Sequence, residues 1–300
     1  MTQNSPSAYE IAYLDTLREI VGSGTDRGDR TGTGCRSVFV RTLRQDLAEG
    51  FPLLTTKKVF VRGIAEELAW FLRGETNIQP LVQKKVSIWS DWPHARYVQE
   101  TGEQIDLKTF EQRIAEDDAF AAEWGDLGPV YGKQWRAWTG PRGPIDQLRE
   151  TLERARTKPT DRRLIVSAWN PGEIPDMALP PCHCFFQLHA ADGRLSLMLV
   201  QRSCDMFLGV PFNVASYAIL THLIARELDL PVGEFSHVLA DAHIYSNHFD
   251  QVDTQLARDP RPAPNLVLSD ACTGIDNFDA AHVGIHDYDP HPAIKAPVAV

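Results

Sequence analysis

A thiol and a guanidinium lie at the two ends of what reads as one β-hairpin. Cys182 opens an apolar, strand-like run to His189, the chain turns at Ala191-Asp192-Gly193, and Leu195 to Asp205 returns with Arg202 near its end. Two apolar runs joined by an Asp-Gly turn pair antiparallel, so Cys182 and Arg202 reach the same edge. A fixed cation nearby lowers a cysteine pKa, and the thiolate is the nucleophilic form. Cysteine is also often a small buried hydrophobe, and the hairpin alone leaves both readings open.

Other residues carry similar double readings. Asp29-Arg30-Thr31-Gly32-Thr33-Gly34 is a flexible turn whose backbone amides and Arg30 suit a phosphate, or else a plain surface turn. It lacks the third glycine and the βα setting of a dinucleotide site. In a helix over residues 61–73, Glu67 shares a face with Ile64, Trp70 and Phe71, which places a carboxylate among apolar neighbours; the alternative is a solvated surface glutamate. The runs Ile88-Trp89 and Tyr131 to Trp135 offer aromatic surface for stacking a flat heterocycle, or for core packing. Arg162 and Arg163 precede a strand at 164–169, where paired arginines usually mark a solvated edge. Asn213 stands before an amphipathic helix over 214–228, where its default role is an N-cap.

The histidines invite a metal reading that the spacing does not support. His237, His243 and His248 form a ladder and His282 and His286 are four apart, yet there is no HExxH and no cysteine at ligand spacing. No metal is expected. Cys35, Cys182, Cys184, Cys204 and Cys272 are odd in number without CxxC pairing, which points to neither a disulfide framework nor structural zinc.

The elements that position these residues follow from periodicity. A helix over 7–20 stops at Gly22-Ser23-Gly24, a strand runs over 35–43, a charged, helix-rich insert occupies 93–124, a helix covers 145–155, and the proline-rich tail is extended. Three hundred residues at 43% hydrophobic can build one large core, and no linker or repeat divides them. A net charge of -10 argues against a general polyanion-binding surface. The N-terminus has no signal pattern and no apolar run reaches membrane length, so a cytoplasmic protein is expected, with no membrane partner.

Taken together and in order, Asp29 to Gly34, Pro181-Cys182-His183, Gln201 to Asp205, Gly209 to Asn213 and Asp241 to His248 resemble the thymidylate synthase family of the folate-dependent, homodimeric, bacterial kind. The likeness extends to Ala296 to Val300, nearly the whole chain. It implies an α+β fold: a single domain over residues 1–300, with a large mixed, mainly antiparallel sheet flanked by helices, one sheet face forming a dimer interface. It implies reductive methylation of dUMP to dTMP, with 5,10-methylenetetrahydrofolate as donor of carbon and hydride and dihydrofolate released, without NAD(P). On that resemblance Cys182, Glu67, Tyr131, Asn213 and Arg202 are catalytic. Arg30, Arg202, Ser203, Cys204, Asp205, Asn213, His243 and Tyr245 bind dUMP, joined by Arg162 and Arg163 from the partner subunit. Lys57, Phe60, Ile88, Trp89, Asp205, Ala299 and Val300 bind folate.

Three positions depart from the family pattern. Phe60 stands where a close bacterial relative has histidine, Cys184 where alanine is common, and Ala242 lies inside the His-Tyr motif; they bear on the folate tail rather than the chemistry. A sister pyrimidine hydroxymethylase shares the thiolate addition but ends in attack by water. An RNA-binding regulator using the same arginines is a rival of another class; the acidic balance weighs against it as the main role, and weak RNA binding stays open.

Overall fold

The computed structural model describes residues 5–29 and 32–298. The chain begins with α1 (Ala8–Ser23), started by Ser7, whose hydroxyl accepts from the Glu10 amide. Strands β1 (Thr25–Arg27) and β2 (Cys35–Asp46) follow, then the helices α2 (Val61–Leu72) and α3 (Gln79–Gln83). Helices α4 (Asp91–Thr101), α5 (Leu107–Glu116) and α6 (Asp118–Trp124) supply the helical content expected over 93–124. Next come α7 (Tyr131–Ala137), the short hairpin β3 (Trp138–Gly140) and β4 (Gly143–Ile145), α8 (Gln147–Thr157), and β5 (Ile165–Ser167).

The hairpin expected around Cys182 is present as β6 (His183–Ala191) and β7 (Arg194–Asp205). Its turn residues Asp192 and Gly193 have φ of 51° and 71°, the left-handed pair that matches the twist of the flanking strands. Helix α9 (Gly209–Glu227) crosses over to β8 (Val232–Tyr245), and α10 (Phe249–Leu256) with the small hairpin β9 (Asn265–Leu268) and β10 (Val283–His286) completes the chain. The main sheet has the order β1-β2-β8-β7-β6-β5, antiparallel throughout except for the parallel pair β7 and β8. A mixed, mainly antiparallel sheet flanked by helices was the expectation. Among the described residues no helix is long and apolar enough to cross a membrane.

Two expectations about the centre are corrected. Helix α9 starts at Gly209, not after Asn213, and from Val214 to Ala225 it is buried nearly all round rather than amphipathic, because β7 and β8 cover one side and α2 another. The Asp241 to Tyr245 segment is the end of the long strand β8.

One irregularity crosses the sheet. Pairing skips Val40 opposite Ala240, Arg202 opposite Ala240, and Cys184, on four neighbouring strands. Along β7 the odd residues 195–201 are buried and the even ones half-exposed; beyond Arg202 the order inverts, with Cys204 buried and Ser203 and Asp205 partly open. In β8 the same inversion follows Ala240, with Ala242 buried and Asp241 and Tyr245 partly open. An extra residue in a ladder turns the following side chains to the other face. That reversal swings the ends of both strands into a cavity.

Candidate active site

The cavity is about 800 Å³, and β6, β7, β8, α2, α7, α9 and the loop before β2 all contribute to its wall. Cys182 sits just before β6, where its carbonyl accepts from the Arg202 amide at 2.9 Å. The Arg202 side chain donates to the carbonyls of Pro181 (2.9 Å) and Pro180 (2.8 Å) and lies over the Trp169 ring. The thiol and the guanidinium therefore meet as expected. The electrostatic outcome differs: burial pushes the Cys182 thiol up, and the Arg202 charge and a hydrogen bond with Ser203 only partly offset it. The resting group is a thiol.

Glu67 is on the cavity-facing side of α2 and only 7% exposed. Burial pushes its carboxyl up to about 7, against the opposing hydrogen bond from Trp89 Nε1 to Oε1 at 2.7 Å. The apolar face of α2 thus desolvates a carboxylate until it titrates near neutrality. Trp89 in turn packs on Trp92 and Tyr131, with ring centroids 5.4 and 6.0 Å apart. The Tyr131 hydroxyl, at the start of α7, accepts from the Cys182 amide at 2.8 Å and from that of His183 at 3.4 Å. Glu67, Trp89, Tyr131 and Cys182 form one contiguous wall.

The opposite wall comes from the reversed strand ends and α9. Asp205 Oδ1 accepts from the Phe207 and Leu208 amides at 3.0 and 3.1 Å, in the turn that leads into α9. Asn213 lies in the second turn of that helix, where it caps nothing; its Oδ1 accepts from Gln201 Nε2 at 3.0 Å. His243 Nδ1 donates to the Asp241 carbonyl, 3.0 Å away. Burial lowers its pKa, but Asp241 and Asp205 together outweigh that and the net movement is upward. Asp241 also holds Arg27, at 2.7 Å.

A family model described as thymidylate synthase matches residues 11–300. The thymidylate synthase of Listeria monocytogenes serotype 4a (strain HCC23) is 50% identical over 311 aligned residues, covering 96% of this chain and 99% of that protein. That of Listeria innocua serovar 6a (strain ATCC BAA-680 / CLIP 11262) is 50% identical over the same shares. The chain belongs to the thymidylate synthase family. It is therefore an enzyme, a methyltransferase by family, and the resemblance read from its motifs is borne out.

For this thymidylate synthase family member, the cavity gathers Cys182, Glu67, Tyr131, Asn213, Arg202, Ser203, Asp205, His243, Tyr245, Ile88 and Trp89. Other residues expected at the site lie elsewhere. Cys204 is fully buried in the core, because the strand reversal at Arg202 turns it away from the cavity. Lys57 is buried with its ammonium donating to the Phe207 carbonyl and 3.6 Å from that ring's centroid; burial brings its pKa down to about 7. Phe60 lines a separate groove with Arg62 and Tyr288. Arg162 and Arg163 are exposed at the turn before β5, where Arg163 pairs with Asp161 at 2.8 Å. Arg30, Ala299 and Val300 lie outside the described residues. Sequence reading passed over Arg27, His183, Gln201 and Trp169, all on the cavity wall. His183 and Gln201 stood inside motifs already singled out; Trp169 and Arg27 carried no local signal.

Proposed function

We propose that the cavity converts dUMP to dTMP by reductive methylation, with 5,10-methylenetetrahydrofolate giving carbon and hydride and leaving as dihydrofolate. The observation that carries this reading is the meeting of Cys182 with Glu67, Tyr131 and Asn213 in one cavity large enough for a nucleotide and a flat heterocycle together. The Cys182 sulfur bonds to C6 of the uracil ring, which makes C5 nucleophilic. That step needs the thiolate, so Arg202 beside it lowers the cost of ionising a thiol that burial has raised. Glu67, titrating at about 7, gives and takes protons through water at neutral pH. Tyr131 assists removal of the C5 proton and anchors the Cys182 backbone.

Asn213 pairs with the uracil edge, His243 and Tyr245 hold the ribose, and Arg202 and Ser203 take phosphate together with Arg30. The indoles of Trp89 and Trp92, with Ile88, Leu179 and Phe212, give the cavity an apolar wall against which a pterin can pack; Asp205 supplies a polar contact beside it. When bound, the folate supplies a one-carbon unit and then a hydride. Lys57 and Phe60, off this wall, are left out of the proposed folate contacts.

We also infer a homodimer. The half-exposed row Phe185, Val200 and Val238, paired across β6, β7 and β8, leaves apolar side chains on the outer sheet face, and Ile165 is exposed on the same face of β5. Arg162 and Arg163 then reach the phosphate of the partner's site.

The decisive assay follows the absorbance rise as methylenetetrahydrofolate becomes dihydrofolate in the presence of dUMP, with chromatography of the nucleotide. Formation of dTMP in step with dihydrofolate is the expected result. A hydroxymethylated pyrimidine without dihydrofolate would transfer the reading to a hydroxymethylase, and no turnover would sink it.

A further inference from the structure

We propose that Tyr9 and His237, neither of which lines the cavity, set its preference for uracil over cytosine by fixing, through Gln201, which way round the Asn213 amide faces. The proposal rests on the base-reading role proposed above for Asn213. Four side chains make one hydrogen-bonded line. Tyr9 Oη lies 2.8 Å from His237 Nδ1, His237 Nε2 lies 2.9 Å from Gln201 Oε1, and Gln201 Nε2 reaches Asn213 Oδ1 at 3.0 Å. Tyr9 and His237 are fully buried and Gln201 is 2% exposed, so the first two links run through the protein interior, and only the last, at Asn213, borders the cavity. The line runs from α1 through β8 and β7 to α9.

Its direction follows from the donor inventory. Gln201 Nε2 also donates to the Ser203 carbonyl at 2.9 Å, a group that only accepts, so the amide nitrogen is on that side and Oε1 faces the histidine. Oε1 needs a donor, so His237 carries its hydrogen on Nε2. A neutral ring has one such hydrogen, which leaves Nδ1 bare to accept from the Tyr9 hydroxyl. Burial, with His183 nearby, holds the His237 pKa down to about 3, so the ring stays neutral throughout the working range.

The consequence falls on Asn213. With Oδ1 engaged by Gln201, turning the amide over would set Nδ2 against Gln201 Nε2, donor against donor. Held as it is, the amide gives a hydrogen to uracil O4 and has a lone pair for the N3 hydrogen. Cytosine, with an amino donor at C4 and a bare N3, requires the reverse orientation. If His237 held its hydrogen on Nδ1 instead, Nε2 and Gln201 Oε1 would face as two acceptors. Gln201 would then turn or withdraw, and Asn213 would keep only its hydrogen bond with the His183 side chain, a weaker hold on its orientation. In that second tautomer the Tyr9 hydroxyl would accept from Nδ1 and its own buried hydrogen would lose the ring nitrogen as acceptor, which adds to the cost at Gln201.

The test measures the ratio of dissociation constants for dCMP and dUMP, with kcat/KM for dUMP alongside, in the full chain. We expect Tyr9→Phe to lower the ratio about five-fold and His237→Phe about ten-fold, while His237→Gln, whose amide can donate to Gln201 Oε1, recovers most of it. A purely structural role would lower stability without moving the ratio. Asn213→Asp is the control for the underlying reading. If it shifts the ratio and the Tyr9 and His237 variants do not, the relay is overturned and base reading by Asn213 stands. If Asn213→Asp itself leaves the ratio unchanged, both fall. Should the core variants fail to fold, imidazole 15N spectra of the wild-type protein decide: a hydrogen on Nε2 alone of His237 supports the relay, and one on Nδ1 overturns it.

Discussion

At Cys182 two influences oppose each other, and their balance sets how the nucleophile behaves. Burial raises the thiol while Arg202 and Ser203 lower it, and burial is the larger effect. Alkylation by iodoacetamide should therefore rise with pH through a midpoint above the ordinary cysteine value, and Arg202→Ala should move it higher still. A midpoint below that value would mean the cation dominates. Glu67 is displaced in the same direction for the same reason. Its folded form keeps a proton up to about 7, whereas the unfolded chain releases it near 4.5, so this group's contribution to stability is present below 4.5 and lost as pH rises through that window. Replacing it by glutamine removes the penalty and keeps an acceptor for Trp89. Glu67→Gln should thus be more stable than wild type at pH 8 by about 3 kcal/mol, no different at pH 4, and almost inactive. Denaturant titrations at the two pH values with a turnover assay check all three.

At the scale of elements, the β6–β7 hairpin brings Cys182 and Arg202 together, and its turn is the part most open to a local test. Gly193 occupies φ of 71°, where a Cβ is strained although nothing stands within 4 Å of it. Gly193→Ala should cost about 1 kcal/mol, read as a lower midpoint in urea, whereas Asp192→Asn should be nearly neutral because asparagine favours the same conformation. Equal effects at the two positions would mean that the turn does not set the register. The hairpin itself was legible because Asp-Gly between apolar runs is a short-range signal. The reversal at Arg202 was not, since it depends on skipped pairs in β2 and β8 lined up beside it; Cys204, set among the dUMP contacts on the family resemblance, lies in the core.

At the scale of the molecule, the outer sheet face and the exposed Arg162 and Arg163 bear on assembly. If each site is completed by its partner's arginines, mixing inactive Arg162→Ala/Arg163→Ala subunits with inactive Cys182→Ala subunits should restore activity. A hybrid dimer then holds one site with every part intact, so up to about a quarter of the wild-type rate is expected when chains mix freely. Heterodimers shown to form yet remaining inactive would confine the arginines to their own subunit, or to no site at all.

The sequence by itself determined the family, the hairpin and most of the polar residues that meet at the cavity, because each rests on local chemistry: a turn dipeptide, an ordered series of motifs. It also placed Glu67 on an apolar helix face. Only the tertiary structure decided what those groups became. The pKa values of Cys182 and Glu67 depend on how much solvent α2, α7 and the indoles remove, and no local pattern records that. Asn213 read as a cap until α9 was seen to begin at Gly209. The line from Tyr9 to Asn213 joins residues 204 positions apart in a chain of 300, so only packing α1 against the sheet brings it into existence.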